Sequence, residues 1–315
     1  SPASVTFTPT TNGTVVLTLT TNDPAGPCPA VSANRTVTIN ALPSPSITVA
    51  ETSGTTNNDG ITCYGDNVTL TANPGGQTYA WSNSLGSTQI VSVNPTSTIT
   101  YTVTVTDGNT CSAATSTTIT VNPLPNATIT VTETSGTTNN DGTICNLDNS
   151  TLTAGPSAML SYVWNNSLPS QQINTVTPSS TTGYSVTVTN VNNCSAVATA
   201  TINVNALPSP TISITETSGN TNNDGIICNG ASATLTGNPN GMTTYSWNNS
   251  LGVGQTKVVS PSSTSSYSLT VTDNNNCSAA TSTTITVNQL PVFLQVQQND
   301  AVCYGTNTGS IVVTA

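Results

Sequence analysis

The chain has no histidine, one arginine (Arg35) and one lysine (Lys257) among 315 residues. Most general acid–base, nucleophile-activating and phosphate-binding schemes draw on these three side chains. A repeated active site built on them is therefore excluded, and the chain reads as non-enzymatic. The formal net charge of -10 leaves too few cations to contact nucleic acid phosphates or an anionic membrane surface. Charged residues make up only 4% of the chain, so solubility must come from Thr, Ser and Asn. Such a surface has little charge for salt to screen. Long apolar runs are missing too: no stretch approaches the roughly 20 residues of a transmembrane helix, and membrane insertion is not expected. No charged-then-apolar leader follows Ser1.

What is present is a repeat. Three blocks begin at Ile47, Ile129 and Ile212, each opening on an Ile-led strand and a Glu-Thr-Ser-Gly…Asn-Asn-Asp-Gly loop that runs to a Cys. Each continues to a Tyr-x-Trp (Tyr79/Trp81, Tyr162/Trp164, Tyr245/Trp247), then to a Tyr-led strand at Tyr101, Tyr184 and Tyr267, and closes on Cys-Ser-Ala. The tryptophans are 83 residues apart. That period is too long for one coil of a solenoid and suits one small domain per block.

Within a block the periodicity is two. In Ile99–Val105 every odd position is apolar or aromatic and every even position is Thr, the pattern of a half-buried strand. Asn-Asp-Gly and Asp-Gly-Asn supply turns. About seven short strands per block predict an all-β fold of tandem immunoglobulin-like antiparallel sandwiches. Pro-x-Pro joints (Pro43/Pro45, Pro123/Pro125, Pro208/Pro210) are short and stiff, and predict an elongated rod. The expected boundaries are 1–41 for the C-terminal part of a domain, 42–122, 123–205 and 206–288 for three complete repeats, and 289–315 for the N-terminal part of another.

Six of the eight cysteines fall in regular pairs, Cys63/Cys111, Cys145/Cys194 and Cys228/Cys277, separated by 48, 49 and 49 residues. The order Cys, Trp, Cys is that of immunoglobulin-type domains. The expectation is one disulfide inside each repeat, at one end of the sandwich, and hence an oxidising compartment. The spacing and the lack of His argue against zinc. Cys28 and Cys303 are left over. By the repeat's spacing, the partner of Cys28 falls before residue 1 and that of Cys303 beyond Ala315. The expected partners are therefore the preceding and following domains of one long polypeptide, or neighbouring copies that exchange strands after Leu290.

These residues carry a resemblance. The succession Pro-x-Pro, Cys-x-Gly, Tyr-x-Trp, Tyr-x-Val-Thr-Val-Thr-Asp, Cys-Ser and Thr-Val-Asn resembles the Ig-like and PKD-like repeats of giant Bacteroidota surface proteins. The tail Cys303-Tyr-Gly-Thr-Asn-Thr-Gly-Ser-Ile311 resembles a repeat of SprB-type gliding adhesins. The resemblance implies type IX secretion, cell-surface or extracellular display, and adhesion or filament formation. It carries over no ligand site.

The remaining candidates weigh less. Glu51 with Asp59, Glu133 with Asp141, and Glu216 with Asp224 offer hard oxygen ligands to calcium, the one cofactor entertained. The same Asn-Asn-Asp-Gly sequence is also an ordinary turn. As a glycosidase pair these carboxylates lack an aromatic sugar platform. The Tyr-x-Trp rings share one strand face, so core packing is their expected role. Two functions stand: a structural stalk or filament segment that holds adhesive regions away from the cell, and, as the alternative, a glycan- or cell-binding module acting through exposed loops.

Overall fold

The computed structural model describes residues 6–21, 26–292, 295–300, 303–305 and 309–314. All its regular structure is β-strand. Strands β1 (Gly13–Thr20) and β2 (Ser32–Ile39) form an antiparallel hairpin.

The first block contributes β3 (Ser46–Ala50), β4 (Ile61–Cys63), β5 (Val68–Asn73), β6 (Thr78–Trp81), β7 (Ile90–Val93), β8 (Ile99–Thr106) and β9 (Ser112–Asn122). They make two sheets, one of order β3-β5-β7 and one of order β4-β9-β8-β6. Every pairing is antiparallel except β4 with β9, where Ile61 to Cys63 run parallel beside Thr120 to Asn122. The chain thus leaves the first sheet after β3, crosses a loop, and joins the edge of the second.

The alternation seen in the sequence sets which side chains enter the core. Tyr101, Val103 and Val105 of β8 are buried, and the threonines between them are half-buried. Val68, Leu70 and Ala72 of β5 face them from the other sheet, and Trp81 and Ile119 join the same cluster. β-Branched and aromatic side chains suit this pleated, one-sided packing.

The second block contributes β10 (Thr128–Thr132), β11 (Thr143–Cys145), β12 (Ser150–Gly155), β13 (Ser161–Trp164), β14 (Ile173–Val176), β15 (Thr182–Thr189) and β16 (Ser195–Asn205). The short strand again runs parallel to the end of the long one, with Cys145 opposite Asn205. The third block contributes β17 (Thr211–Thr215), β18 (Ile226–Cys228), β19 (Ala233–Asn238), β20 (Thr244–Trp247), β21 (Gly252–Val253), β22 (Thr256–Val259), β23 (Ser265–Thr272) and β24 (Ser278–Asn288). Its sheets are β17-β19-β22 and β18-β24-β23-β20-β21, around a core that includes Leu235, Trp247, Leu269 and Ile285. A last hairpin pairs β25 (Gln295–Asn299) with β26 (Ser310–Thr314).

By contact density the chain divides into two compact units. One is Ser1–Thr128 with Gly155–Val163 and Val186–Ala198; the other is Ile129–Ala154 with Trp164–Ser185 and Thr199–Ala315. The division cuts through the second block, parts of which pack with the first block and parts with the third.

Each core tyrosine–tryptophan pair has its polar atoms satisfied. Tyr79 Oη donates to Pro74 O at 2.9 Å and Trp81 Nε1 to Thr88 O at 2.9 Å. Tyr162 and Tyr245, with Trp164 and Trp247, repeat both bonds. The rings are core residues, as their strand face predicts, and present no sugar-stacking platform. Burial also pushes the phenols of Tyr101, Tyr184 and Tyr267 above the ordinary tyrosine range. A phenol whose folded pKa is raised stays protonated in the folded state where the unfolded chain has ionised. Its stability contribution is complete below about pH 10 and falls as the pH rises further. With no histidine to titrate, Tm is expected to be flat between about pH 6 and pH 8 and to fall above about pH 10. Thermal melts across that range check this; a transition centred near neutrality would contradict it.

Candidate functional site

The loop between β3 and β4 is organised by a buried carboxylate. Glu51 is 3% exposed. Its Oε2 accepts the amide of Ser53 at 3.0 Å and its Oε1 the amide of Asp59 at 2.9 Å. Its own amide donates to Asn58 Oδ1 at 3.1 Å. Asn58 lies in the left-handed region at φ 63, which Asn tolerates better than most residues. Asp59 Oδ1 accepts the amide of Ile61 and so starts β4. Ser53 Oγ accepts the amide of Cys63 at 2.8 Å. The loop thus folds back on its own acid and fixes the cysteine that ends β4. Glu133 with Ser135 and Asp141 does the same for Cys145, and Glu216 with Ser218 and Asp224 for Cys228.

This arrangement bears on the calcium candidates. Within each pair the Glu and the Asp do come together, but through the Asp backbone amide. Both Glu oxygens accept backbone amides, and no group of three Asp, Glu, Cys or His side chains converges among the described residues. Each Glu oxygen thus already holds a backbone amide, which competes with its use by a calcium ion, an ion that takes six to eight oxygens. Chelation with EDTA is therefore expected to move Tm by less than about 1 °C, since only a bound ligand adds stability by mass action. A larger fall, reversed by added calcium, would contradict this.

A second motif precedes the long last strand of each block. Asn190 Oδ1 accepts the amides of Asn192 and Cys194, both at 3.0 Å. Its Nδ2 donates to the carbonyl of Pro123, in the joint between blocks. Asp273 Oδ1 holds Asn275 and Cys277 in the same turn, and Asp107 holds Asn109 and Cys111.

These two motifs meet across neighbouring blocks. Cys63 is bonded to Cys194, with Cα atoms 5.6 Å apart, and Cys145 to Cys277, with Cα atoms 5.5 Å apart. Beside each bond sits one repeated hydrogen bond. Asn193 Nδ2 donates to Gly54 O at 2.9 Å, and Asn276 Nδ2 to Gly136 O at 2.9 Å. Gly54 has φ 89, and a Cβ there would lie 3.1 Å from Ile61 O, so the acceptor position is held open by glycine.

The pairings expected within repeats, Cys63/Cys111, Cys145/Cys194 and Cys228/Cys277, are thereby corrected. The physical reason is strand length. Cys63 lies opposite Asn122, at the far end of β9, whereas Cys111 immediately precedes the start of β9. Eleven residues of extended strand separate the two by roughly 35 Å, far beyond the Cα separation a disulfide spans. The two cysteines of one block therefore mark opposite ends of its sandwich. The first cysteine of one block meets the second cysteine of the next. Cys111 and Cys228 are free and half-buried, and Cys28 is a free, exposed thiol.

The chain is an all-β protein of tandem immunoglobulin-like sandwiches, with adjacent blocks joined by disulfides. No protein-family model matches it, and no curated protein matches it in sequence. Among solved structures it is similar to one titled for host cell surface retention of a 1.5-MDa bacterial ice-binding adhesin. The identity there is 17%, over 79% of this chain and 99% of that chain, at a TM-score of 0.29. A calcium-stabilised, ice-binding adhesin of an Antarctic bacterium is 16% identical over 87% of this chain and 82% of its own, at a TM-score of 0.32. Murine CEACAM1b is 15% identical over 51% of this chain and 100% of its own, at a TM-score of 0.23. At these scores none of them decides a ligand, an activity or a domain arrangement.

Proposed function

We propose that the chain is a non-catalytic spacer segment of an extracellular adhesin or surface fibre, built to stay short under tension. One observation carries the reading: the two disulfides overlap. Cys145 lies inside the interval closed by Cys63–Cys194, and Cys194 lies inside that closed by Cys145–Cys277. A disulfide within one repeat would protect only that repeat. An overlapping series of bonds between repeats protects the joints as well. Stable disulfides belong to an oxidising, extracellular setting, which suits surface display. The type IX route and a gliding role rest on the sequence resemblance alone and remain part of the proposal.

The test is the length released when the chain is pulled from points outside Cys63 and Cys277. The spacer reading requires that oxidised protein release no more than the segment between Cys145 and Cys194. Release of the whole interval from Cys63 to Cys277 under non-reducing conditions would sink it.

A further inference from the structure

We propose that the chain stays in one piece after its backbone is cut. An endoprotease must cleave it in three separate places to part the residues before Cys63 from those after Cys277. The inference rests on the connectivity of the two disulfides and not on the spacer role. Because the bonds Cys63–Cys194 and Cys145–Cys277 overlap, they divide the backbone into three intervals: Cys63 to Cys145, Cys145 to Cys194, and Cys194 to Cys277. A cut in the first interval leaves its two pieces joined by Cys63–Cys194. A cut in the third leaves them joined by Cys145–Cys277, and a cut in the second leaves them joined by both. Two cuts within one interval drop the piece between them and leave its flanks joined. Two cuts in different intervals make three pieces, and in every combination the two bonds link all three. Only a cut in each interval parts the chain.

The fold places its vulnerable points accordingly. Proteases take exposed turns and the joints between domains first. The turn between the third and fourth strands of each block is exposed and holds a left-handed residue: Gly76 at φ 75, Ala158 at φ 59 and Gly241 at φ 79. These equivalent turns fall one in each interval. The joints fall in the first and third intervals. Leu124 in the one is 41% exposed, and Ser209 in the other is exposed. With both joints cut, the second block remains bonded to the first through Cys63–Cys194 and to the third through Cys145–Cys277. The four bonded cysteines are all buried, at 4% exposure or less. Each cut hydrolyses one peptide bond with one water, to a carboxylate and an amine, and leaves both disulfides untouched. With bonds confined to single repeats, one cut in a joint would part the chain.

The experiment uses the full oxidised chain with its remaining thiols alkylated, so that no exchange reroutes the bonds. Recognition sites for a sequence-specific endoprotease are inserted, and the digests are run on denaturing gels with and without reductant. With sites after Asn126 and Ser209, cleavage should give three pieces with reductant and one species of parent mass without it. With sites after Gly76, Ala158 and Gly241, any one or two cuts should leave one species without reductant. All three should give two species, residues 1–76 bonded to 159–241 and residues 77–158 bonded to 242–315. Separation after the joint cuts, separation after one or two turn cuts, or a single species after all three would overturn the proposal. The unmodified chain needs no insertion. Under limited pepsin digestion its non-reduced band should outlast its reduced band, with the parted fraction rising as the product of the three intervals' cleavage fractions. Bands that decay together would overturn the proposal as well. A chain cut at its joints that stays joined, yet releases more than the segment between Cys145 and Cys194 when pulled, would contradict the spacer reading and leave this one standing.

Discussion

Pulled from points outside Cys63 and Cys277 until every sandwich has opened, the oxidised chain should offer about 170 Å of contour between those cysteines, and the reduced chain about 750 Å. The difference follows from covalent connectivity. In the reduced chain the path is the 214 residues from Cys63 to Cys277. In the oxidised chain tension crosses from Cys63 to Cys194, runs back along the 49 residues to Cys145, and crosses again to Cys277. Removing one bond gives an intermediate value. With Cys145→Ser and Cys277→Ser the path is the 83 residues from Cys194 to Cys277, about 290 Å. Single-molecule force spectroscopy reads all three lengths. Disulfides confined to single repeats would leave the 34 residues from Cys111 to Cys145 and the 34 from Cys194 to Cys228 to extend, about 240 Å, well above the 170 Å expected here.

A second large effect is expected at a residue that bonds to no other block. Glu133→Ala should destabilise the protein by about 3 kcal/mol, because two backbone amides lose a charged, buried acceptor together. Glu133 is 4% exposed, and its oxygens accept the amides of Ser135 and Asp141 at 2.9 Å each. Ser135 in turn accepts the amide of Cys145 at 2.7 Å, so the loop that presents this cysteine loosens with the carboxylate. Glu133→Gln keeps one acceptor oxygen and should cost about half as much. Denaturant titration followed by tryptophan fluorescence measures both variants. The Cys145–Cys277 bond should also re-form more slowly after reduction. A loss below about 0.5 kcal/mol for Glu133→Ala would mean that water replaces the carboxylate and that the loop is not held by it.

The longer strands were legible because each of them carries its own signal. Thr alternating with Val over Ile99–Val105 is enough to place one face inward, and the buried set Tyr101, Val103 and Val105 matches it. The Tyr-x-Trp pairs were legible for the same reason. The disulfide partners were not, and the obstacle is the repeat itself. Adding one 83-residue period to a within-block interval of 48 or 49 gives the observed separations of 131 and 132. Regular spacing therefore cannot distinguish a partner in the same block from one in the next. The deciding feature is the parallel pairing of β4 with the end of β9, and three residues such as Ile61–Cys63 carry too little pattern to announce it. The acids of the Glu51 loop stood out as surplus charge in a chain with few charges. Their inward role depends on backbone amides that arrive from Ser53 and Asp59, and side-chain identity does not encode that.

The most direct measurement is the disulfide map of the oxidised chain. Trypsin finds only Arg35 and Lys257 to cut at, so digestion with pepsin at acid pH, which also suppresses thiol exchange, is the suitable route to mass spectrometry. Peptides linking Cys63 to Cys194 and Cys145 to Cys277 are the predicted result. Peptides linking Cys63 to Cys111, or Cys145 to Cys194, would contradict the account.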